Sequence, residues 1–382
     1  MEHSSTFDWQ PSSDSSGAPR VKRREGFSRR CVTDNAAHRI SRWAVAFGAA
    51  VTALLIQPAS AQTIVSGLRD EVVFTEYSPL SSTAELVRRL LSPLTALRVN
   101  QEAERAGKTL HGQPIDLARE RYSINIPASP HSPSGTYSLL VFVPPWPRAE
   151  VPPHWISVLD RYHTILVTAA NSGNDAPTID RREPLALLAA YNTMKQYPVD
   201  PQQVYIGGFS GGARIALRLA LGYPDVFHGA LLNAGSDPVG TADVPLPPAD
   251  LFRRFQESTR LVYVTGERDE VNLMGDVQSR RSLEKWCVFD VVTATEPRMD
   301  HEVADASAFS RSLDALLSPR QTHPGKLADC RARVDQELNT QLEEVESAFA
   351  HGESSTAKKL LLRIDVRYGG LAAPRSVDLA SR

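Results

Sequence analysis

Between Tyr122 and Leu317, short apolar runs recur along the chain, and longer stretches with helical spacing fill the gaps between them. The runs Tyr122 to Ile126, Ser138 to Val143, Thr164 to Thr168, Val204 to Ile206, Ala230 to Leu232, Leu261 to Thr265 and Cys287 to Thr293 are too short for helices and rich in branched residues, so they predict strands. Pro184 to Lys195, Ala213 to Leu221 and Ala304 to Leu317 predict helices. In the second of these, Ile215, Leu217, Leu219 and Leu221 with interleaved alanines leave little polar surface, as expected for a helix lying on a central sheet. The alternation predicts an α/β fold: a mainly parallel sheet with helices on both faces, whose ligands meet the carboxyl ends of the strands.

The pattern changes at both ends of this region. Val72 to Glu76 predicts a strand and Ala84 to Ala106 a helix interrupted at Pro93, so residues 62–120 are expected to form an N-terminal helical extension to a domain at 121–320. Beyond it, Leu327 to Phe349 and Ser355 to Ile364 predict two charged helices, with Gly352 as the stop between them. Residues 321–382 are therefore expected to form a C-terminal helical hairpin and tail.

Residues 1–61 have a different character. A Ser-rich leader, basic from Arg20 to Arg30, predicts disorder. Arg39 and Arg42 then precede an apolar run of about 14 residues, Trp43 to Ile56, followed by Gln57-Pro58 and the small residues Ala59-Ser60-Ala61. This is the layout of a signal peptide cleaved after Ala61, which places the mature chain in the periplasm or outside the cell. The run falls short of the roughly 20 residues that span a bilayer, so no stable membrane span is expected after cleavage; an uncleaved anchor and a buried helix are the alternatives.

Charge and cysteine content narrow the partners. With 42 basic and 44 acidic residues among 382, the net charge of −2 provides no field that would recruit nucleic acid. Cys31 would leave with the leader, and Cys287 and Cys330 then remain either as a disulfide or as two buried thiols. Cysteine and histidine spacing suggests no metal site, and no cofactor is implied.

The chemistry concentrates at Gly208-Phe209-Ser210-Gly211-Gly212, a G-x-S-x-G turn between a predicted strand and a predicted helix. A serine hydroxyl is barely ionised at neutral pH, so a nucleophilic serine needs a base, and the base needs an acid to orient it. Gly266-Glu267-Arg268-Asp269 follows one late strand and offers Asp269, while Arg298-Met299-Asp300-His301 follows the next and offers His301. Asp237, after the preceding strand, is the alternative acid. The Asn171 to Asp175 loop, Trp146 and Trp155 are further candidates to border a site.

The chain order Ser210, Asp269, His301 resembles that of the α/β-hydrolase superfamily. The stretch from Pro198-Val199-Asp200-Pro201 through the serine turn to Gly222-Tyr223-Pro224-Asp225 is similar to secreted polyhydroxybutyrate-depolymerase-like and feruloyl-esterase-like members. The resemblance covers roughly residues 122–317 and is strongest around Ser210. It implies an exported serine esterase acting through an acyl-enzyme, on a small-molecule or polymer ester. A peptidase or acyltransferase on the same fold, or a non-catalytic relative that binds an envelope partner, are the alternatives. It also implies an oxyanion hole, with Gly211 as one donor and the other from the loop Pro144-Pro145-Trp146. Family members usually carry His-Gly there; the prolines have no N–H, which leaves Trp146 as the donor.

Overall fold

The computed structural model describes residues 65–131, 133–320 and 322–382. The predicted leader, its signal peptide and the cleavage point at Ala61 lie outside the described residues. Eight strands build one sheet: β1 (Gly67–Val72), β2 (Tyr122–Ile126), β3 (Tyr137–Val143), β4 (Thr164–Ala169), β5 (Val199–Phe209), β6 (Gly229–Asn233), β7 (Arg260–Gly266) and β8 (Val291–Glu296). Their order across the sheet is β1-β2-β4-β3-β5-β6-β7-β8. β2 runs antiparallel to both β1 and β4, and every pairing from β4 across to β8 is parallel.

Side-chain alternation along the strands divides the interior into two cores. Leu139, Val141, Ile165, Val167, Val204, Ile206, Leu232 and Tyr263 face one side, where α1 (Thr83–Leu90), α4 (Glu183–Gln196), α5 (Gly211–Gly222) and α6 (Ala249–Ser258) contribute to the packing. Leu140, Phe142, Leu166, Leu231, Val262 and Val264 face the other, against α3 (Ile156–Arg161) and α8 (Ala306–Leu317). Both faces of the central strands are covered, which is why they read as continuous apolar runs. Two further helices of this region are α2 (Pro93–Arg105) and α7 (Glu270–Lys285).

The ends of the chain differ in detail from the sequence expectation. The first strand is Gly67–Val72 rather than Val72 to Glu76, and it adds an antiparallel edge to the sheet, so the N-terminal extension is not purely helical. Its residues are almost wholly exposed, which removes the apolar signal that would mark it in a sequence. The last strand starts at Val291 rather than Cys287 because α7 runs to Lys285 and Cys287 sits in the following turn with φ 64°. At the C-terminus, α9 (Pro324–Ala350) and α10 (Ser354–Tyr368) turn at Gly352, with φ 77°, and a short third helix, α11 (Arg375–Ala380), follows.

These last helices share the larger core. Val334, Leu338, Leu342, Ile364, Tyr368 and Leu379 are buried in the same cluster as the sheet residues. Tyr368 packs edge-on against Trp286 at 5.5 Å, and a disulfide joins Cys287 to Cys330. Asp365 of α10 accepts the Leu94 N–H at 3.0 Å and the Ser92 hydroxyl at 2.5 Å, so it caps the first turn of α2 from the other end of the chain.

Candidate active site

Ser210 stands between β5 and α5 with φ 54° and ψ −122°, a left-handed backbone that a residue with a Cβ rarely adopts. Its N–H donates to the Asn233 carbonyl of β6 at 2.9 Å. The turn closes because its neighbours lack side chains. A Cβ at Gly212 would collide with the Val143 carbonyl, and one at Gly208 with the Gly212 backbone. Gly211 and Gly212 open α5, directly after the serine, so their N–H groups have no intrahelical acceptor.

Asp269 follows the carboxyl end of β7 and His301 that of β8. His301 Nδ1 lies 2.6 Å from Asp269 Oδ2, and Nε2 lies 3.0 Å from Ser210 Oγ. With Asp269 ionised, Nδ1 carries the proton and donates it, which leaves the Nε2 lone pair facing the serine hydroxyl. Asp269 is buried while His301 is largely exposed. Burial works against the Asp269 charge, but hydrogen bonds from His301 and Asn272 outweigh it and hold the carboxyl below the usual carboxylate range. Asp237, the alternative acid, instead pairs with Arg214 at 3.4 Å, and burial pushes its carboxyl upward.

Several residues that carry no motif hold these segments in place. Asn233, almost fully buried, donates to the Val264 carbonyl at 3.1 Å and accepts the Ala304 N–H at 2.8 Å, tying the histidine loop to β7. Trp155 donates its indole N–H to the Ala304 carbonyl at 2.7 Å and stacks on Phe309 at 3.9 Å. Arg268 N–H bonds the Met299 carbonyl at 3.1 Å, which joins the acid turn to the same loop. Met299, Glu302, Val303, Arg298 and His154 line a cleft of about 750 Å³ whose walls do not include Ser210, Asp269 or His301.

The turn after β3 is held through its carbonyls, since its prolines cannot donate. Arg182 is buried; its Nη2 donates to the Pro144 carbonyl at 3.1 Å and its Nε to the Ser172 carbonyl at 2.9 Å. Asn174 N–H donates to Pro145 at 3.0 Å, and Asn171 N–H to Pro147 at 2.5 Å. Gly173 packs so closely that a Cβ there would stand 2.8 Å from the Trp146 carbonyl carbon. The Trp146 ring lies 6.3 Å from both Phe142 and Phe209, and Phe209 lies 4.9 Å from the His301 ring. Among the described residues, no backbone or side-chain acceptor takes the Trp146 backbone N–H. The Asn174 amide covers Gly211, so the Asn171 to Asp175 loop lies against the residue that follows the serine.

No group of three or more His, Cys, Asp or Glu among the described residues is placed to hold a metal ion. No helix among them is long and apolar enough to cross a membrane.

The strand order, the strained serine turn and the Ser-Asp-His chain order together give the chain the α/β-hydrolase fold. No family model matches the chain. A poly(3-hydroxybutyrate) depolymerase from Ralstonia pickettii is 31% identical over 111 residues, which is 25% of this chain and 23% of that protein. The chain thus matches less than a quarter of the length of that relative. An S-formylglutathione hydrolase from Staphylococcus aureus superposes with a TM-score of 0.40 at 12% identity, covering 52% of this chain and 93% of its own. A ferulic acid esterase superposes with a TM-score of 0.38 at 17% identity, covering 51% and 88%.

Proposed function

We propose that the protein is an exported serine hydrolase that cleaves carboxylic esters through an acyl-enzyme on Ser210. The observation that carries this reading is the unbroken hydrogen-bonded chain from Ser210 Oγ through His301 to Asp269. In the first half-reaction, Oγ bonds to the ester carbonyl carbon as its proton passes to His301 Nε2. The carbonyl oxygen, now anionic, accepts hydrogen bonds from the N–H groups of Gly211 and Trp146. The carbon–oxygen bond to the alcohol then breaks, and the departing alkoxide takes the proton from His301. Water repeats the sequence on the acyl-enzyme: His301 removes its proton, the new bond forms, and Ser210 leaves with the proton restored.

Asp269 keeps the imidazole in the Nδ1–H tautomer and stabilises the cation that forms during each transfer. Gly211 and Trp146 suit the oxyanion role because Gly211 directly follows the serine, Trp146 carries the first N–H after the two prolines, and neither backbone N–H has another acceptor among the described residues. Export rests on the sequence of residues 1–61 and agrees with a disulfide, a bond that persists in oxidising compartments. The 111-residue similarity to a poly(3-hydroxybutyrate) depolymerase supports an ester as the substrate.

Labelling by a fluorophosphonate tests nucleophile, base and oxyanion site together. The expected outcome is stoichiometric labelling of the mature protein, lost in Ser210→Ala and His301→Ala, with hydrolysis of short-chain aryl esters. A folded protein that takes no label and cleaves none of these esters would show that the site is not catalytic and leave a ligand-binding role for the fold.

A further inference from the structure

Asn272 occupies the first turn of α7, three residues after Asp269, and its side chain touches two members of the serine-histidine-aspartate chain. Its Nδ2 lies 2.9 Å from Asp269 Oδ1, 2.9 Å from Asp269 Oδ2 and 3.1 Å from His301 Nδ1. The amide can face this site in only one sense. Rotated by half a turn, its oxygen would confront two carboxylate oxygens, so the nitrogen must point inward. Helix capping accounts for part of the arrangement, because Asp269 Oδ1 accepts the Asn272 backbone N–H at 3.4 Å. Capping does not account for a side-chain amide that spans both carboxylate oxygens and abuts the imidazole.

We infer that Asn272 is a positioning residue that clamps the Asp269 carboxylate and keeps the His301 ring from swinging away from Ser210. This inference rests on the hydrolase reading given above. Two consequences follow from the contacts. Bonding to both oxygens fixes the plane of the carboxylate, so Oδ2 stays aimed at Nδ1. When Nδ1–H donates to Asp269, the Asn272 N–H and the ring N–H are both donors and cannot bond each other; at 3.1 Å the amide is a wall against the ring. His301 needs such a wall because its ring is otherwise open: its side chain is 44% exposed, and its ring neighbour is Phe209 at 4.9 Å.

The test compares Asn272→Ala and Asn272→Leu with the parent protein. Leu keeps most of the volume without the donor, so it guards against a loss that comes only from an emptied site. Two measurements are made on variants whose melting shows them folded: steady-state kinetics on an aryl ester, and the low-field Nδ1 proton resonance of His301, identified by its loss in His301→Ala. The expected result is a fall in kcat of about tenfold or more at nearly constant KM, the scale for losing a hydrogen bond to a charged group, with the resonance displaced in both variants. An unchanged kcat, or a resonance that stays where it is in the parent, overturns the proposal and leaves Asn272 as a helix-capping residue. The resonance needs no substrate. If the parent takes no fluorophosphonate label, the hydrolase reading falls while the resonance still decides the clamp.

Discussion

At Ser210 the backbone is held at φ 54°, and a residue with a Cβ in such a conformation costs about 1–3 kcal/mol. Ser210→Gly should therefore raise the melting temperature while abolishing turnover, whereas Ser210→Ala should abolish turnover without that gain; thermal melts beside ester assays separate the two. Asp269→Asn should lower kcat by about 10³- to 10⁴-fold, since an amide holds the imidazole in the wrong tautomer. Ser210, Asp269 and His301 are legible in the amino-acid sequence, because a short turn motif and the ends of two strands mark them. Asn233 and Arg182 are not legible there as parts that hold the site, and Trp155, expected to border it, is instead fully buried and anchors the histidine loop from within the core. Each acts by joining segments far apart in the chain, as Arg182 does between residues 144 and 172, and no local spacing records such a contact. Asn272 lies between these cases: its distance of three residues from Asp269 is visible in the sequence, but as a cap pattern rather than as part of a site.

At the scale of elements, the central strands and their covering helices match the apolar pattern because burial on both faces writes a strong signal. β1 escapes it, being an exposed edge whose partner contacts are made by the backbone. The turn after β3 shows how a segment whose prolines cannot donate is still built to a fixed shape. Arg182→Gln should loosen Pro144 and shift Trp146, lowering kcat by about 100-fold while circular dichroism stays unchanged, the scale of a misplacement of about 1 Å. Capping across the chain is equally invisible to local reading. Ser92 makes no side-chain cap of its own to α2, and Asp365 does this work from α10. Asp365→Ala should cost about 1–2 kcal/mol in urea unfolding, at the upper end for a cap because the carboxylate is buried.

For the described residues as a whole, the segments that flank the central sheet are anchored by charge as well as by packing. Glu85 accepts from Arg88 and Arg89, and Arg89 reaches Asp225 at 2.7 Å, which joins α1 to the segment after α5. The Arg88 hydrogen bond is the largest cause that holds the Glu85 carboxyl at about 2, against an ordinary value of 4.5; burial opposes it and Arg89 adds to it. A folded value below the unfolded one gives stability that is fully present above about pH 4.5 and is lost as the pH falls toward about 2. Glu85→Gln should accordingly be less stable than the parent at neutral pH, and the two urea midpoints should converge across that acid range. The Cys287–Cys330 bond closes a loop of 43 residues, and Cys330→Ser should lose about 4 kcal/mol on the chain-entropy account, read as a lower urea midpoint.

The order of synthesis gives that bond a further meaning. Cys287 leaves the ribosome with the sheet, while Cys330 belongs to helices made last, which complete the same hydrophobic core. The two sulfurs meet only when α9 has docked, so counting free thiols while the mature chain refolds under oxidising conditions would time that docking rather than the assembly of the serine site.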